Sequence, residues 1–216
     1  VETLVERIGG RLERHPSFGT AQWFPLDGRG IEIASARKEK YSRPGALPEV
    51  VPASLEEDLS RRDFDINAMA LVLTTEEPRL IDRYHGREAI LKQQIAVLHE
   101  QSFMDDPTRV WRALRFCARL DFSLCPETRR RMEDALGLGC MQSLSMQRLG
   151  AEMNRAWQEN QRRKLVDLAF DWCVWSQISP ELTTRLRHTI TSVDGDNDKN
   201  KISILADNML ARDSMA

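Results

Sequence analysis

The chain is poor in cysteine and contains no long apolar run, no glycine-rich phosphate loop and no large net charge of either sign. Its four cysteines, Cys117, Cys125, Cys140 and Cys173, form no C-x-x-C pair. That scatter fits a reducing cytoplasm best. The histidines, His15, His85, His99 and His188, stand apart from one another and from the cysteines, which argues against zinc. Asp194, Asp196 and Asp198 have the spacing of a calcium loop, but Lys199 and Leu205 occupy the places of its glycine and its bidentate glutamate. No stretch of about 18 apolar residues is present to span a membrane. The opening Val1-Glu2-Thr3 lacks the regions of a signal peptide. The chain is therefore expected to be neither secreted nor membrane-spanning. A net charge of -2 excludes a wholly basic nucleic-acid coat.

What is present suits a folded protein. A length of 216 residues, with 41% hydrophobic and 30% charged, allows one or two domains with a buried core. Leu4, Val5, Ile8 and Leu12 predict a surface helix over Thr3 to Leu12. Thr20 to Leu26 and the Ile31, Ile33 alternation predict two strands joined by the turn Asp27-Gly28-Arg29-Gly30. Ser54 and Glu57 form a capping box for a helix carrying Leu55 and Leu59. Ile66, Ala68, Ala70 and Val72 alternate as in a strand, which leaves Arg61 to Asp65 at the junction. A strand at Leu80-Ile81, a helix over Gly86 to Lys92 and a strand at Ile95 to Leu98 complete an α/β head. There are no internal repeats.

From Pro107 onward the pattern is helical. Val110, Ala113, Leu114 and Cys117 make one face of the first helix, with Pro107 in its first turn. Arg109, Arg112, Arg115 and Arg119 fall on the other side, within roughly a third of the circumference at about 100° per residue. Further helices are predicted over Pro126 to Leu136, stopped by Gly137 and Gly139, from the cap Ser145 through Leu149, Met153 and Trp157, and over Lys164 to Ile178. Asp194 to Asn200 reads as a loop before a last short helix. Trp111, Trp172 and Trp175 are read as core. Between Arg109 and Arg131 lie seven arginines against Asp121 and Glu127, a basic stripe suited to phosphates.

Two charged segments bear the functional reading: Arg61-Arg62-Asp63-Phe64-Asp65-Ile66-Asn67-Ala68-Met69-Ala70, and Asp105-Asp106-Pro107-Thr108-Arg109 continuing through Arg112, Arg115-Phe116 and Arg119. Each has a plain alternative. Arg62 and Asp63 also read as a helix-end ion pair, the arginine row as a solvated face, and Glu32 as an exposed strand residue. Arg37 and Lys38-Glu39-Lys40-Tyr41 read as a mobile basic loop near RNA.

In their order and separation these segments resemble motifs of the bacterial-type tRNA nucleotidyltransferases, the CCA- or A-adding enzymes, and of their poly(A) polymerase relatives. The resemblance runs from about Thr20 to Trp157. It implies an α+β fold, a polymerase-beta-like nucleotidyltransferase head with an incomplete mixed sheet, followed by an all-helical neck and a partial body. The corresponding regions are 1–100, 101–160 and 161–216. It implies transfer of CMP or AMP from CTP or ATP to a tRNA or other RNA 3′ end, assisted by magnesium. The alternatives are poly(A) addition and a non-catalytic nucleotide- or RNA-binding remnant. No protein partner is implied.

The resemblance assigns nucleotide binding to Arg62, Asp63, Asn67, Asp106, Arg109, Arg112 and Arg115. Glu32 becomes a candidate auxiliary carboxylate, and Arg129, Arg130 and Arg131 candidate RNA contacts. A carboxylate beside a guanidinium, as Asp106 and Arg109 at one-turn spacing, complements the amino donor and ring acceptor of cytosine and adenine and rejects uracil and guanine. Three positions depart from the family pattern: Asp105 replaces Glu, Asp65 replaces Thr and Asp121 replaces Gly. The family's Gly-Gly-x-x-Arg-Asp and Asp-x-Asp segments, which hold the metals, have no counterpart upstream of Thr20. The metal ligands stay unassigned. The chain thus reads as an amino-terminally truncated enzyme, expected to be inactive without that motif.

Overall fold

The structure is a computed structural model that describes residues 5–7, 9–15, 19–26, 28–40, 49–74, 76–178 and 183–184. It divides into two compact units, one of residues 1–40 with 48–61, the other of residues 41–47 with 62–216.

In the first unit Arg11–His15 (β1), Thr20–Phe24 (β2) and Ile31–Ala34 (β3) form an antiparallel sheet in that order. The β2–β3 hairpin is the expected one, and β1 is an addition. Residues 5–7 are helical, but the helix expected to run through Leu12 does not continue. Gly9 and Gly10 take φ of +73° and +101°, which side-chain-bearing residues avoid, and the chain turns into β1. A Cβ at Gly10 would lie 2.5 Å from the Phe24 carbonyl oxygen. Leu12 fits both helical and strand periods, so the glycine pair decides between them.

Arg37–Lys40 (β4) pairs antiparallel with Glu49–Pro52 (β5). The segment expected as a mobile basic loop is thus a strand, and Tyr41 lies outside the described residues. Leu55–Ser60 (α1) opens on the predicted capping box: Glu57 N donates to Ser54 Oγ at 3.2 Å and Ser54 N to Glu57 Oε2 at 2.9 Å. Its buried Asp58 accepts from Arg61 Nη2 at 2.6 Å and from Arg37 N at 3.1 Å, while Arg61 Nη1 reaches Glu39 at 2.7 Å. The helix-end ion pair of this region is therefore Asp58 with Arg61, one turn earlier than Arg62 and Asp63.

The second unit opens on Arg62. Of the strand expected from Ile66 to Val72 only Ala70–Val72 (β6) forms, antiparallel to Arg79–Ile81 (β7), and Asp65–Asn67 is a 3-10 turn instead. Asp65 is the cause. Its Oδ1 accepts from Ile66 N at 2.8 Å and from Ala96 N at 3.1 Å, curling the backbone around the carboxylate. Gly86–Lys92 (α2) matches its predicted limits. Gln94–Ile95 (β8) pairs parallel with Ser123–Leu124 (β9), and Val97 bridges Phe64.

Helices Ser102–Asp105 (α3), Thr108–Leu120 (α4), Pro126–Gly137 (α5), Met146–Trp157 (α6), Arg162–Asp171 (α7) and Val174–Ile178 (α8) follow. The predicted face of α4 is fully buried: Val110, Ala113, Leu114 and Cys117 are all 0% exposed. These residues share a core with Leu149, Met153 and Ala156 of α6 and Leu165, Val166 and Ala169 of α7. Each large aliphatic side chain so buried contributes about 1.5–3 kcal/mol. The Trp111 and Trp175 rings meet near-perpendicular at 5.3 Å, and Trp157 stacks on Trp175 at 6.3 Å. Burial pushes the Cys117 thiol up to about 12 and Cys140 up to about 11, so neither is a thiolate nucleophile. The helix expected over Lys164 to Ile178 is two helices, because Cys173 takes φ +57° and breaks the turn.

Phe64, Ile95 and Val97 lie in the same core as α4 to α8. Between residues 49 and 178 the two compact units part between Arg61 and Arg62. No helix among the described residues is long and apolar enough to cross a membrane. The expected loop at Asp194 to Asn200 and the helix after it lie outside the described residues.

Asp121, which stands where the family pattern has Gly, ends α4 in the left-handed region at φ +60°, with Lys164 Nζ on its carboxylate. That conformation is costly for a residue with a Cβ. Asp121→Gly is expected to stabilise the chain by about 0.5–1 kcal/mol, read as a higher urea midpoint. A lower midpoint would show that the Lys164 contact outweighs the backbone cost.

Candidate functional site

The two charged segments meet at Asp63. Arg112 of α4, 49 residues further along the chain, places Nε 2.6 Å and Nη2 2.5 Å from Asp63 Oδ2. The other carboxylate oxygen accepts from Phe64 N at 2.9 Å and from Asn67 Nδ2 at 3.1 Å. Asp63 is thus the hub of the turn, 7% exposed, with one oxygen holding the local backbone and the other holding the long helix. Arg112 remains about 38% exposed at its side chain and lies over the Phe116 ring at 5.7 Å, with Arg119 over the same ring at 5.0 Å. The ring meets Phe64 edge-on at 5.7 Å. A guanidinium held by Asp63 and part-exposed in this way suits an anionic or planar ligand. Arg62 is exposed beside this hub.

Around Asp106 the structure differs from the expected pairing. The guanidinium that meets its carboxylate belongs to Arg148 of α6, with Nη2 2.8 Å from Oδ1. The same oxygen accepts from Thr108 N at 3.1 Å and Thr108 Oγ1 at 2.7 Å, an Asx turn that leads into α4. Arg109 is 4% exposed and points elsewhere, its Nη1 on the Ser102 hydroxyl and 3.2 Å from His99 Nε2. Burial first, and the Arg109 charge second, hold the His99 pKa below its ordinary value, so at neutral pH this ring offers Arg109 a lone pair.

Arg115 is likewise occupied. Its Nε lies 3.0 Å from Glu159 and its Nη1 3.7 Å from Glu152, both carboxylates buried, while Arg155 also meets Glu152. These pairs join α4 to α6 and to the turn that follows it. Arg129 contacts Glu133 at 2.6 Å and covers the Trp172 ring at 5.3 Å. Arg130 pairs with Glu127 and Asp134, and Arg131 with Glu127 and Glu100. Of the acids that temper these three arginines, Glu127 lies within the 109–131 window, while Glu100, Glu133 and Asp134 lie outside it. Glu32 sits exposed on β3 opposite Gln22.

Sequence reasoning missed Arg148, Glu152, Arg155 and Glu159. Their spacing of four, three and four residues marks one face of α6 and its end, and that stripe is the signal that α6 carries counter-charges for α4. Asp65 faces no ligand through Oδ1, which is taken by backbone amides, and burial raises its carboxyl pKa above the ordinary value. With Asp65 turned inward in this way, its replacement of Thr puts little charge on the surface. Among the described residues no group of three or more His, Cys, Asp or Glu is placed to hold a metal ion. The described residues therefore offer no gathered set of acids for a two-metal centre.

Residues 1–96 match the family described as the poly(A) polymerase head domain. The chain is 40% identical over 176 residues to an A-adding tRNA nucleotidyltransferase of Aquifex aeolicus, covering 81% of this chain and 21% of that protein. It is 39% identical over 139 residues to a CC-adding tRNA nucleotidyltransferase of Deinococcus radiodurans, covering 64% of this chain and 37% of that protein. A solved tRNA nucleotidyltransferase, complexed with a primer tRNA and an incoming ATP analog, superposes with a TM-score of 0.73 at 36% identity, covering 83% of this chain and 50% of the other. The chain spans between about a fifth and a half of the length of these relatives. The fold is accordingly α+β of the polymerase-beta-like nucleotidyltransferase type, with the helical elements that follow its head. With both motif segments joined at Asp63 and these likenesses beside them, the chain belongs to the tRNA nucleotidyltransferase and poly(A) polymerase family.

Proposed function

We propose that this chain forms the incoming-nucleotide site of a cytoplasmic, template-independent nucleotidyltransferase that adds CMP or AMP from CTP or ATP to a tRNA 3′ end. The observation that carries the reading is the Asp63–Arg112 ion pair, which brings segments 49 residues apart into one charged surface. On this reading residues 1–100 act as head, 101–160 as neck and 161–216 as the start of a body. Arg62, Arg112 and Asn67 border the triphosphate and sugar, with Asp63 positioning two of them.

Asp106 reads the base edge, its carboxylate accepting from the amino group that cytosine and adenine share and uracil and guanine lack at that edge. Arg109 and Arg115 then act from behind, through the helix they anchor. For Arg109 to touch the base it must first leave Ser102 and His99. Arg129, Arg130 and Arg131 meet RNA phosphates by exchanging their local carboxylates for them. Glu32 serves as an auxiliary carboxylate. Magnesium, which in-line transfer to a hydroxyl ordinarily uses to hold the triphosphate, is bound on this proposal by acids other than those described.

The test is binding of the four nucleoside triphosphates to the chain by equilibrium filtration. CTP and ATP are expected to bind about tenfold or more tightly than UTP and GTP, the scale of one charged hydrogen bond. Equal affinities would defeat base reading by Asp106. A preference for ATP over CTP, UTP and GTP alike would favour the poly(A) alternative.

A further inference from the structure

We propose that Arg148 is a positioning residue for base selection: it holds Asp106 by Oδ1 so that Oδ2 is presented to the exocyclic amino group of the incoming base. The inference rests on the reading of Asp106 given above, and it assigns a role to α6 which that reading does not contain. Three donors converge on one oxygen: Arg148 Nη2 at 2.8 Å, Thr108 Oγ1 at 2.7 Å and Thr108 N at 3.1 Å. Every hydrogen bond that the Asp106 side chain accepts from the described residues ends there, and Oδ2 is not among the buried atoms lacking a partner. The Asp106 and Arg148 side chains are about 18% and 22% exposed, enough for a ligand edge to reach them and little enough to limit competing water.

The terminal torsion of an aspartate is broad and two-fold, so a carboxylate held only by its neighbour Thr108 can exchange its oxygens or tilt. A second guanidinium-held contact from another helix removes that freedom. Arg148 is itself well placed to do so. Its backbone N donates to the Ser145 cap at 3.3 Å, and the residue after it, Leu149, is buried in the core beneath α4. The charge arrangement also has a sign. A carboxylate accepts from an amino group but, when ionised, has no proton for the O4 of uracil or the O6 of guanine.

The experiment measures affinities of CTP, ATP, UTP and GTP for the wild-type chain, Arg148→Met and Arg148→Lys, with the urea midpoint of each as a folding check. Arg148→Met is expected to lose about tenfold in its preference for CTP and ATP, by weaker CTP and ATP binding at unchanged UTP and GTP affinity. Arg148→Lys is expected to keep part of the preference, since an ammonium supplies charge without the planar fork, and it serves alone if the Met variant does not fold. Equal loss for all four nucleotides would reduce Arg148 to a structural strut and overturn the proposal. So would a preference unchanged in both variants. A wild-type chain without preference would overturn base reading by Asp106 and this role with it, and the wild-type measurement alone reveals that case.

Discussion

Asp63→Ala is expected to weaken nucleotide binding by tenfold or more and to lower unfolding free energy by about 2–4 kcal/mol. The stability loss comes mainly from the Phe64 amide and the Asn67 amide group, which each lose a buried acceptor worth about 1 kcal/mol or more. The Arg112 pair adds less than a fully buried pair would, because about 38% of the Arg112 side chain is exposed and water screens it. The binding loss has a different origin. Arg112 is freed from its fixed orientation beside Phe116 and must then be ordered by the ligand at an entropic cost. Urea unfolding and nucleotide filtration on the same preparation separate the two effects. Asp63→Asn, which keeps an acceptor for Phe64 but loses the charge, should restore much of the stability and little of the affinity. If Asp63→Ala bound nucleotide as wild type does, the site would have to lie away from this hub.

Arg115→Met is expected to show the reverse balance: about 3 kcal/mol of lost stability with nucleotide affinity changed less than about twofold. Removing the guanidinium leaves the carboxylates of Glu152 and Glu159, 6% and 9% exposed, with less positive charge to offset their burial. Stranding buried charges in this manner typically costs about 3–5 kcal/mol, and the lower figure applies because Arg155 still meets Glu152 and Arg119 lies 3.8 Å from Glu159. The double change Arg115→Met with Glu159→Gln should recover part of the loss, since an uncharged amide costs less to bury than an unpaired carboxylate. A normal urea midpoint together with a large loss of nucleotide affinity would return Arg115 to the triphosphate. The contrast with Asp63 matters because sequence placed both residues in one binding set. In the structure, one set of arginines faces outward and another stitches helices together.

Much of the architecture was legible in the chain because it is written in local chemistry. The Ser54–Glu57 box, Pro126 in the first turn of α5, the Ser145 cap and the apolar phase of Val110, Ala113, Leu114 and Cys117 each act within one or two helical turns. Where two periods fit the same residues, local reading failed. Leu12 served a helix or a strand equally well until Gly9 and Gly10 were considered, and the alternation from Ile66 to Val72 was curled at its start by Asp65, whose backbone partner Ala96 is 31 residues away.

The candidate site divides in the same manner. Sequence by itself determined that Arg62, Asp63, Asn67 and the arginines of α4 belong to one family pattern, and that α4 carries its guanidinium groups on the side away from its apolar face. Only the tertiary structure decided which carboxylate each guanidinium meets: Asp63 for Arg112, Glu152 and Glu159 for Arg115, and Arg148 rather than Arg109 for Asp106. The reason is reach. Helical spacing specifies a face about a third of a turn wide, while a flexible arginine covers several ångströms beyond it, so its partner is chosen by whichever element packs alongside. Here that element is α6 with the turn that follows it, 42 residues from Asp106 to Arg148 and 44 from Arg115 to Glu159 along the chain.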